Sequence, residues 1–178
     1  MSKVQKSKSL ARWLRHRPDA IKISLDKEGW TDIGELLLNA NAAGVALTRQ
    51  ELEQIVEEND KQRFSISDDG LRIRAAQGHS VEVNLNLVVK LPPPVLYHGT
   101  ISKFITSIKK QGLLPGTRND VHLSATRETA LAVGGRRGVA VLLKIETFPM
   151  VKAGIKFRRA DNGVWLVEGV PTEFITFP

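Results

Sequence analysis

The run Arg63-Phe64-Ser65-Ile66-Ser67-Asp68-Asp69-Gly70-Leu71-Arg72-Ile73-Arg74 alternates apolar and polar side chains on both sides of an acidic-glycine turn. Such a pattern reads as a β-hairpin. Working upstream, Thr48-Arg49-Gln50-Glu51 fits a capping box before Leu52, Ile55 and Val56, so a helix starts at Thr48. A second helix is predicted over 32–40, with Asp32 as its cap and Ile33, Leu36 and Leu37 as its apolar stripe. A third spans 7–16, where Leu10, Trp13 and Leu14 recur at helical spacing and Ser7 or Ser9 serves as cap; Pro18 and Asp19 stop it. Three short helices followed by a hairpin outline a winged helix, an architecture used to bind nucleic acid and to bind protein.

Downstream the texture changes. Lys90-Leu91-Pro92-Pro93-Pro94 continues neither a helix nor a central strand, so the domain boundary is placed there, between lobes 1–90 and 91–178. Strands are expected at Val95–His98, Val121–Ser124, Val139–Ile145, Met150–Ala153, Val164–Val167 and Phe174–Phe177, with short helices at 101–110 and 127–133. The fold class is therefore α+β, with a helical front lobe and a β-rich rear lobe.

Composition bounds the chemistry. The 178 residues hold 42% hydrophobic and 25% charged side chains, which suits a folded globular chain. With no cysteine, disulfides, cysteine zinc sites and thiol nucleophiles drop out. No apolar run is long enough to span a bilayer and residues 1–10 lack a signal-peptide core, so a cytoplasmic protein with no membrane contact is expected. The net charge of +7 suits a polyanionic partner, and it is uneven: 14 basic against 13 acidic residues in 1–90, but 12 against 6 in 91–178. Within the front lobe, residues 1–17 carry Lys3, Lys6, Lys8, Arg12, Arg15 and Arg17 with no acid. That run is either a solvated helix face or a strip that contacts phosphates.

Several polar clusters could carry chemistry. Arg15-His16-Arg17 ends a helix, where cations cap the dipole or form a phosphate pocket. Tyr97-His98-Gly99-Thr100 places an imidazole, a glycine and a hydroxyl at the end of a strand. That corner can hold a nucleotide's ribose or phosphate, or it is an ordinary strand–turn–helix with Thr100 as cap. In Val121-His122-Leu123-Ser124 the alternation puts His122 and Ser124 on one face, lining a cleft or water. Gly134-Gly135-Arg136-Arg137-Gly138 precedes a strand and lacks the spacing of a P-loop or Rossmann fingerprint. No HExxH or HxH spacing occurs, so no metal site is expected. Trp13, Trp30 and Trp165 sit among apolar neighbours and read as core.

In order, the segments Leu14–Pro18, Leu25–Trp30, Lys61-Gln62-Arg63-Phe64, Ile73–Ser80, Leu96–Thr100, Val121–Ser124, Gly135–Gly138 and Asn162–Leu166 resemble the Tpt1/KptA family of RNA 2′-phosphotransferases over nearly the whole chain. The resemblance implies a winged-helix RNA-binding lobe joined to a lobe with the ADP-ribosyltransferase fold. It also implies a metal-free, two-step reaction on tRNA-like RNA that carries an internal 2′-phosphate, with NAD+ consumed as co-substrate; nothing in the sequence suggests more than a monomer. The family's arginine–histidine–arginine–arginine set falls on Arg15, His16, Arg63 and Arg136, with Arg137 adjacent to the last. His98, Gly99 and Thr100 would engage NAD+, with His122 and Ser124 as the adjoining wall. The alternatives are an ADP-ribosyltransferase acting on terminal phosphates of nucleic acid and a non-catalytic winged-helix binder.

Overall fold

The computed structural model of the chain describes residues 1–59 and 62–178, with the Arg137 side chain outside the description. Asp60 and Lys61, the latter opening the motif at 61–64, thus lie outside the described residues, as does the Arg137 guanidinium considered beside Arg136. The chain divides into two compact units, Met1–Asn86 and Leu87–Pro178. The division falls four residues before the expected boundary at 90/91, because Lys90 N donates to Phe157 O and Val89 bridges Arg158 within the second unit.

In the first unit, helix α1 runs Lys3–Arg15. It starts earlier than expected, because Ser2 and Gln5 form a reciprocal capping box that outcompetes Ser7 and Ser9. A 3-10 turn at Pro18–Ile21 follows. Next come strand β1 (Thr31–Asp32), helix α2 (Ile33–Ala42, capped by Asp32) and helix α3 (Arg49–Glu57, with the Thr48–Glu51 capping box). The hairpin forms as predicted, β2 (Phe64–Ile66) against β3 (Arg72–Ala75). Strand β1, too short to show in the sequence, adds to the other edge of β3, giving the order β1-β3-β2. Leu10, Trp13, Leu14, Leu36, Leu52 and Ile73 bury their side chains together as this unit's core.

The second unit opens with β4 (Val95–Ile101) and α4 (Ser102–Gln111). Thr100 is therefore a buried strand residue opposite Val141 and caps no helix, since the strand runs three residues beyond His98. Then come β5 (Val121–Leu123), α5 (Arg127–Gly134), β6 (Ala140–Glu146), α6 (Thr147–Lys152), β7 (Arg158–Arg159), β8 (Trp165–Val167) and β9 (Ile175–Thr176). The strand expected at Met150–Ala153 is instead the end of α6, where Pro149 sits in the first turn and so costs no helix hydrogen bond. Two three-stranded antiparallel sheets result, β4-β6-β9 and β5-β8-β7. Leu96, Leu143, Ile145, Leu123, Phe157 and Val167 fill the core of this unit. Among the described residues, no helix is long and apolar enough to cross a membrane.

Candidate functional site

The first unit gathers its basic motif at the end of α1. Burial of Leu10, Trp13 and Leu14 fixes that helix against the core, leaving Arg15 half-buried and His16, its C-cap, exposed. The segment after β3 then latches onto this corner. Ser80 N donates to Arg15 O at 2.9 Å, Val81 N at 3.4 Å, and the Ser80 hydroxyl lies 2.9 Å from His16 Nδ1. Arg15 Nη2 donates to the Arg63 carbonyl at 3.5 Å, so Arg63 lies beside the same corner; its own guanidinium donates to Asn59 Oδ1 at 3.2 Å. Arg15 thus contacts the Arg63 backbone, and His16 follows Arg15 directly in the chain. Arg17 faces Asp19 in an exposed ion pair at 3.0 Å.

Beneath the corner lies His79, 2% exposed, whose Nε2 has no hydrogen-bond partner among the described residues. Burial, reinforced by the positive charges of Arg15, His16 and Arg74, pushes its pKa down to about 4. The ring is neutral at pH 7 and leaves the positive charge to the groups around it. Gly78 adopts φ +90° and runs against the Arg15 guanidinium, which a Cβ there would approach to 3.8 Å. Trp30 departs from the expected core position. It is half-exposed, with the Arg74 and Arg72 guanidiniums 4.5 and 5.6 Å from its ring centroid. Its neighbours in sequence are apolar, but its neighbours in space are β3 side chains.

In the second unit, His98 on β4 and His122 on β5 meet through the backbone. A carbonyl only accepts, so the 3.0 Å contact of His98 Nδ1 with His122 O puts the proton on Nδ1 and leaves Nε2 as an acceptor. Burial holds the His98 ring below the ordinary histidine range; the hydrogen bond to His122 opposes this, and the Arg118 charge assists it. Ser124, just past β5, exchanges two backbone hydrogen bonds with Tyr97, at 2.9 and 2.8 Å, which locks the two strands together. His122 and Ser124 are half-buried while Val121 and Leu123 are buried, the alternation expected of a strand with one open face.

Gly99 does make a close backbone approach, but to protein. A Cβ there would collide with the Ala130 carbonyl of α5, and one at Gly134 would stand 2.6 Å from Gly99 C. Arg136, in the 3-10 turn Gly135–Arg137, is exposed. The side chain that does reach the histidine pair is Arg118, which the sequence reading passed over. Its Nη1 lies 3.3 Å from His122 Nδ1, and because guanidinium only donates, the neutral His122 ring carries its proton on Nε2. The signal available was position alone: Arg118 precedes the Val121-His122-Leu123-Ser124 motif by three residues. Nearby, Arg158 anchors the approach to β5 through Asp120 at 2.6 Å. Among the described residues no group of three or more His, Cys, Asp or Glu is placed to hold a metal.

A family model described as "RNA 2'-phosphotransferase, Tpt1 / KptA family" matches residues 1–169. The chain is 60% identical over 172 residues to a "Probable RNA 2'-phosphotransferase" of Burkholderia pseudomallei, covering 97% of this chain and 94% of that relative. It is 54% identical over 170 residues to the protein of that name from Pseudomonas aeruginosa PAO1, covering 95% and 93%. With its counterpart from Escherichia coli O6:K15:H31 it shares 51% identity over 173 residues, covering 97% and 94%.

Proposed function

The chain belongs to the Tpt1/KptA family of RNA 2′-phosphotransferases, a family of transferases, and on that footing we propose that it removes an internal RNA 2′-phosphate by transferring it to ADP-ribose from NAD+. In this reading NAD+ is a consumed co-substrate. The 2′-phosphate of the RNA attacks the anomeric carbon of the nicotinamide ribose; the carbon–nitrogen bond breaks and its electron pair leaves with nicotinamide. The neighbouring 2″-hydroxyl of the new phosphodiester then attacks phosphorus and gives up its proton. The bond from phosphorus to the RNA 2′-oxygen breaks, and that oxygen takes a proton. The products are 2′-hydroxyl RNA, ADP-ribose 1″,2″-cyclic phosphate and nicotinamide.

The observation that carries the reading is the Arg15–His16–Arg63 corner, where the chain concentrates fixed positive charge above a histidine kept neutral. Two guanidiniums there neutralise a phosphate dianion and the further charge of a crowded transesterification, each worth roughly 2–4 kcal/mol by comparison with oxyanion donors. Exposed His16 holds the phosphate or protonates the departing RNA oxygen, worth about 10²–10⁴-fold. The order helix, strand, helix, helix, hairpin supports a winged-helix RNA-binding unit. In the second unit, which we read as the ADP-ribosyltransferase-like part, the residues suit NAD+: neutral His98 presents Nε2 to a ribose hydroxyl, and Arg118 offers donors for a phosphate. Gly99, Thr100, His122 and Ser124 stay assigned to that pocket, and the fourth catalytic cation is Arg136, as the family's set has it, or Arg118.

The test is incubation of the protein with NAD+ and RNA carrying one internal 2′-phosphate, with products separated by mass. The cyclic phosphate and 2′-hydroxyl RNA are expected. Accumulation of ADP-ribosylated RNA with no cyclic phosphate would support the terminal-phosphate ADP-ribosyltransferase reading, and absence of nicotinamide release would sink both.

A further inference from the structure

The lysines of α1 divide by partner. Lys6 is buried and pairs with Glu51 at 2.6 Å, while Lys3 pairs with Glu58 at 2.7 Å across to the end of α3. Lys8 and Arg12 have no acidic partner among the described residues, although they stand one turn apart, where like charges repel. Arg15 follows three residues on, so at 100° per residue all three project within about 60° of one another, as a cationic ridge ending at the phosphate-binding corner. From Lys8 to Arg15 the ridge rises about 10 Å, more than one phosphate occupies.

Alongside this ridge the first unit has a groove of about 450 Å³ between α1 and the α3 end. Lys8 and Arg63 both line it, with Ser7 and Asn59 adding hydrogen-bonding groups and Val4 and Ile55 an apolar surface. Among the described residues the acid lining it is Glu58, whose carboxylate pairs with Lys3. A surface open to solvent, positive and polar, and continuous with Arg63 matches a phosphodiester backbone, with room for a base against the apolar patch.

We propose that this groove holds the RNA strand flanking the reacting nucleotide, through a backbone phosphate contacted by Lys8, with Arg12 adding positive charge on the ridge outside it, so that the protein prefers a strand over a minimal modified dinucleotide. The proposal rests on Arg63 receiving the 2′-phosphate, and it adds a second footprint on the same polymer. Because the contacts are to phosphates, the preference is for length and not for sequence.

The experiment compares wild type with Lys8→Ala and Lys8→Glu, exposed-site changes that leave the core intact. The substrates are a 2′-phosphorylated dinucleotide and a single strand of about a dozen nucleotides built around it. Lys8→Glu is expected to erode the ratio of the two KM values about three- to tenfold, with Lys8→Ala intermediate. Equal KM changes on both substrates overturn the proposal. A second arm measures anisotropy of the same strand without its 2′-phosphate over a salt series. Loss of one phosphate contact lowers the salt slope by about 1, and an unchanged affinity and slope overturn the proposal. If wild type releases no product but Lys8→Glu still weakens strand binding, the catalytic reading fails while the groove stands.

Discussion

Gly99 and Gly134 occupy one gap: a Cβ built on either would enter the backbone of the other's element, so β4 and α5 touch main chain to main chain. Both residues have backbone angles open to alanine; space alone demands glycine here. Gly99→Ala and Gly134→Ala are therefore expected to cost about 2–3 kcal/mol each, the upper range for overpacking. Gly135→Ala, whose Cβ would meet its nearest neighbour at 3.8 Å, is expected to stay within about 0.5 kcal/mol of wild type. Urea unfolding of the three variants checks this. A Gly99→Ala protein as stable as wild type would return Gly99 to a purely ligand-facing role.

Ser80 offers a second variant with a narrow expectation. Its backbone N–H ties the loop to Arg15 and survives in Ser80→Ala, whereas the hydroxyl at His16 Nδ1 does not. Loss of one such hydrogen bond is worth about 1 kcal/mol. Turnover should fall about fivefold, with ADP-ribosylated RNA building up because the step that uses His16 slows, while the thermal midpoint holds. Ser80→Thr should recover most of the activity. A drop in midpoint that parallels the drop in turnover would reduce Ser80 to a structural latch.

The buried His79 makes stability depend on pH with a definite sign. Its folded pKa of about 4 lies below the unfolded value of 6.5, so between those values the unfolded chain binds more protons and stability rises with pH. Full stability holds above pH 6.5 and is lost as pH falls toward 4, by roughly 2–3 kcal/mol in total. Denaturant midpoints measured at pH 7, 5.5 and 4.5 for wild type and His79→Gln should converge as pH falls. Parallel curves would mean that His79 titrates alike in the folded and unfolded chain and that burial does not lower its pKa.

Local signals worked where the chemistry is local: the Asp32 and Thr48 caps, the Asp68-Asp69-Gly70 turn and the alternation at Val121–Ser124 all formed as read. Apart from the start of α1, where the local Ser2–Gln5 capping box sets the end, the failures share a cause, contacts made at long range. Trp30 looks apolar by its neighbours in the chain, yet its ring lies under arginines more than forty positions away. Strands β1 and β7, two residues each, exist through partners β3 and β8 and have no period of their own. Met150 is apolar in either state, and it lies fully buried in a helix.

Arg118 is the sharpest case of that kind and the basis of the last prediction. In the sequence it is one more cation in a polar loop, Gly116-Thr117-Arg118-Asn119-Asp120, while the glycine-flanked Arg136 attracts attention. In space Arg118 reaches His122 Nδ1 at 3.3 Å and bears on the protonation of His98, whereas Arg136 lies exposed in its turn. A guanidinium fixed beside two imidazoles is preorganised for developing phosphate charge, and removing such a donor costs about 10²–10³ in rate. Arg118→Ala should therefore lose about that much in kcat/KM, Arg136→Ala clearly less, and Arg118→Lys should recover little because an ammonium lacks the planar fork of donors. Single-turnover rates on 2′-phosphorylated RNA for the three variants decide it. If Arg136→Ala falls furthest, the phosphate-binding arginine belongs to the glycine-rich turn, and Arg118 serves only to set the His122 tautomer.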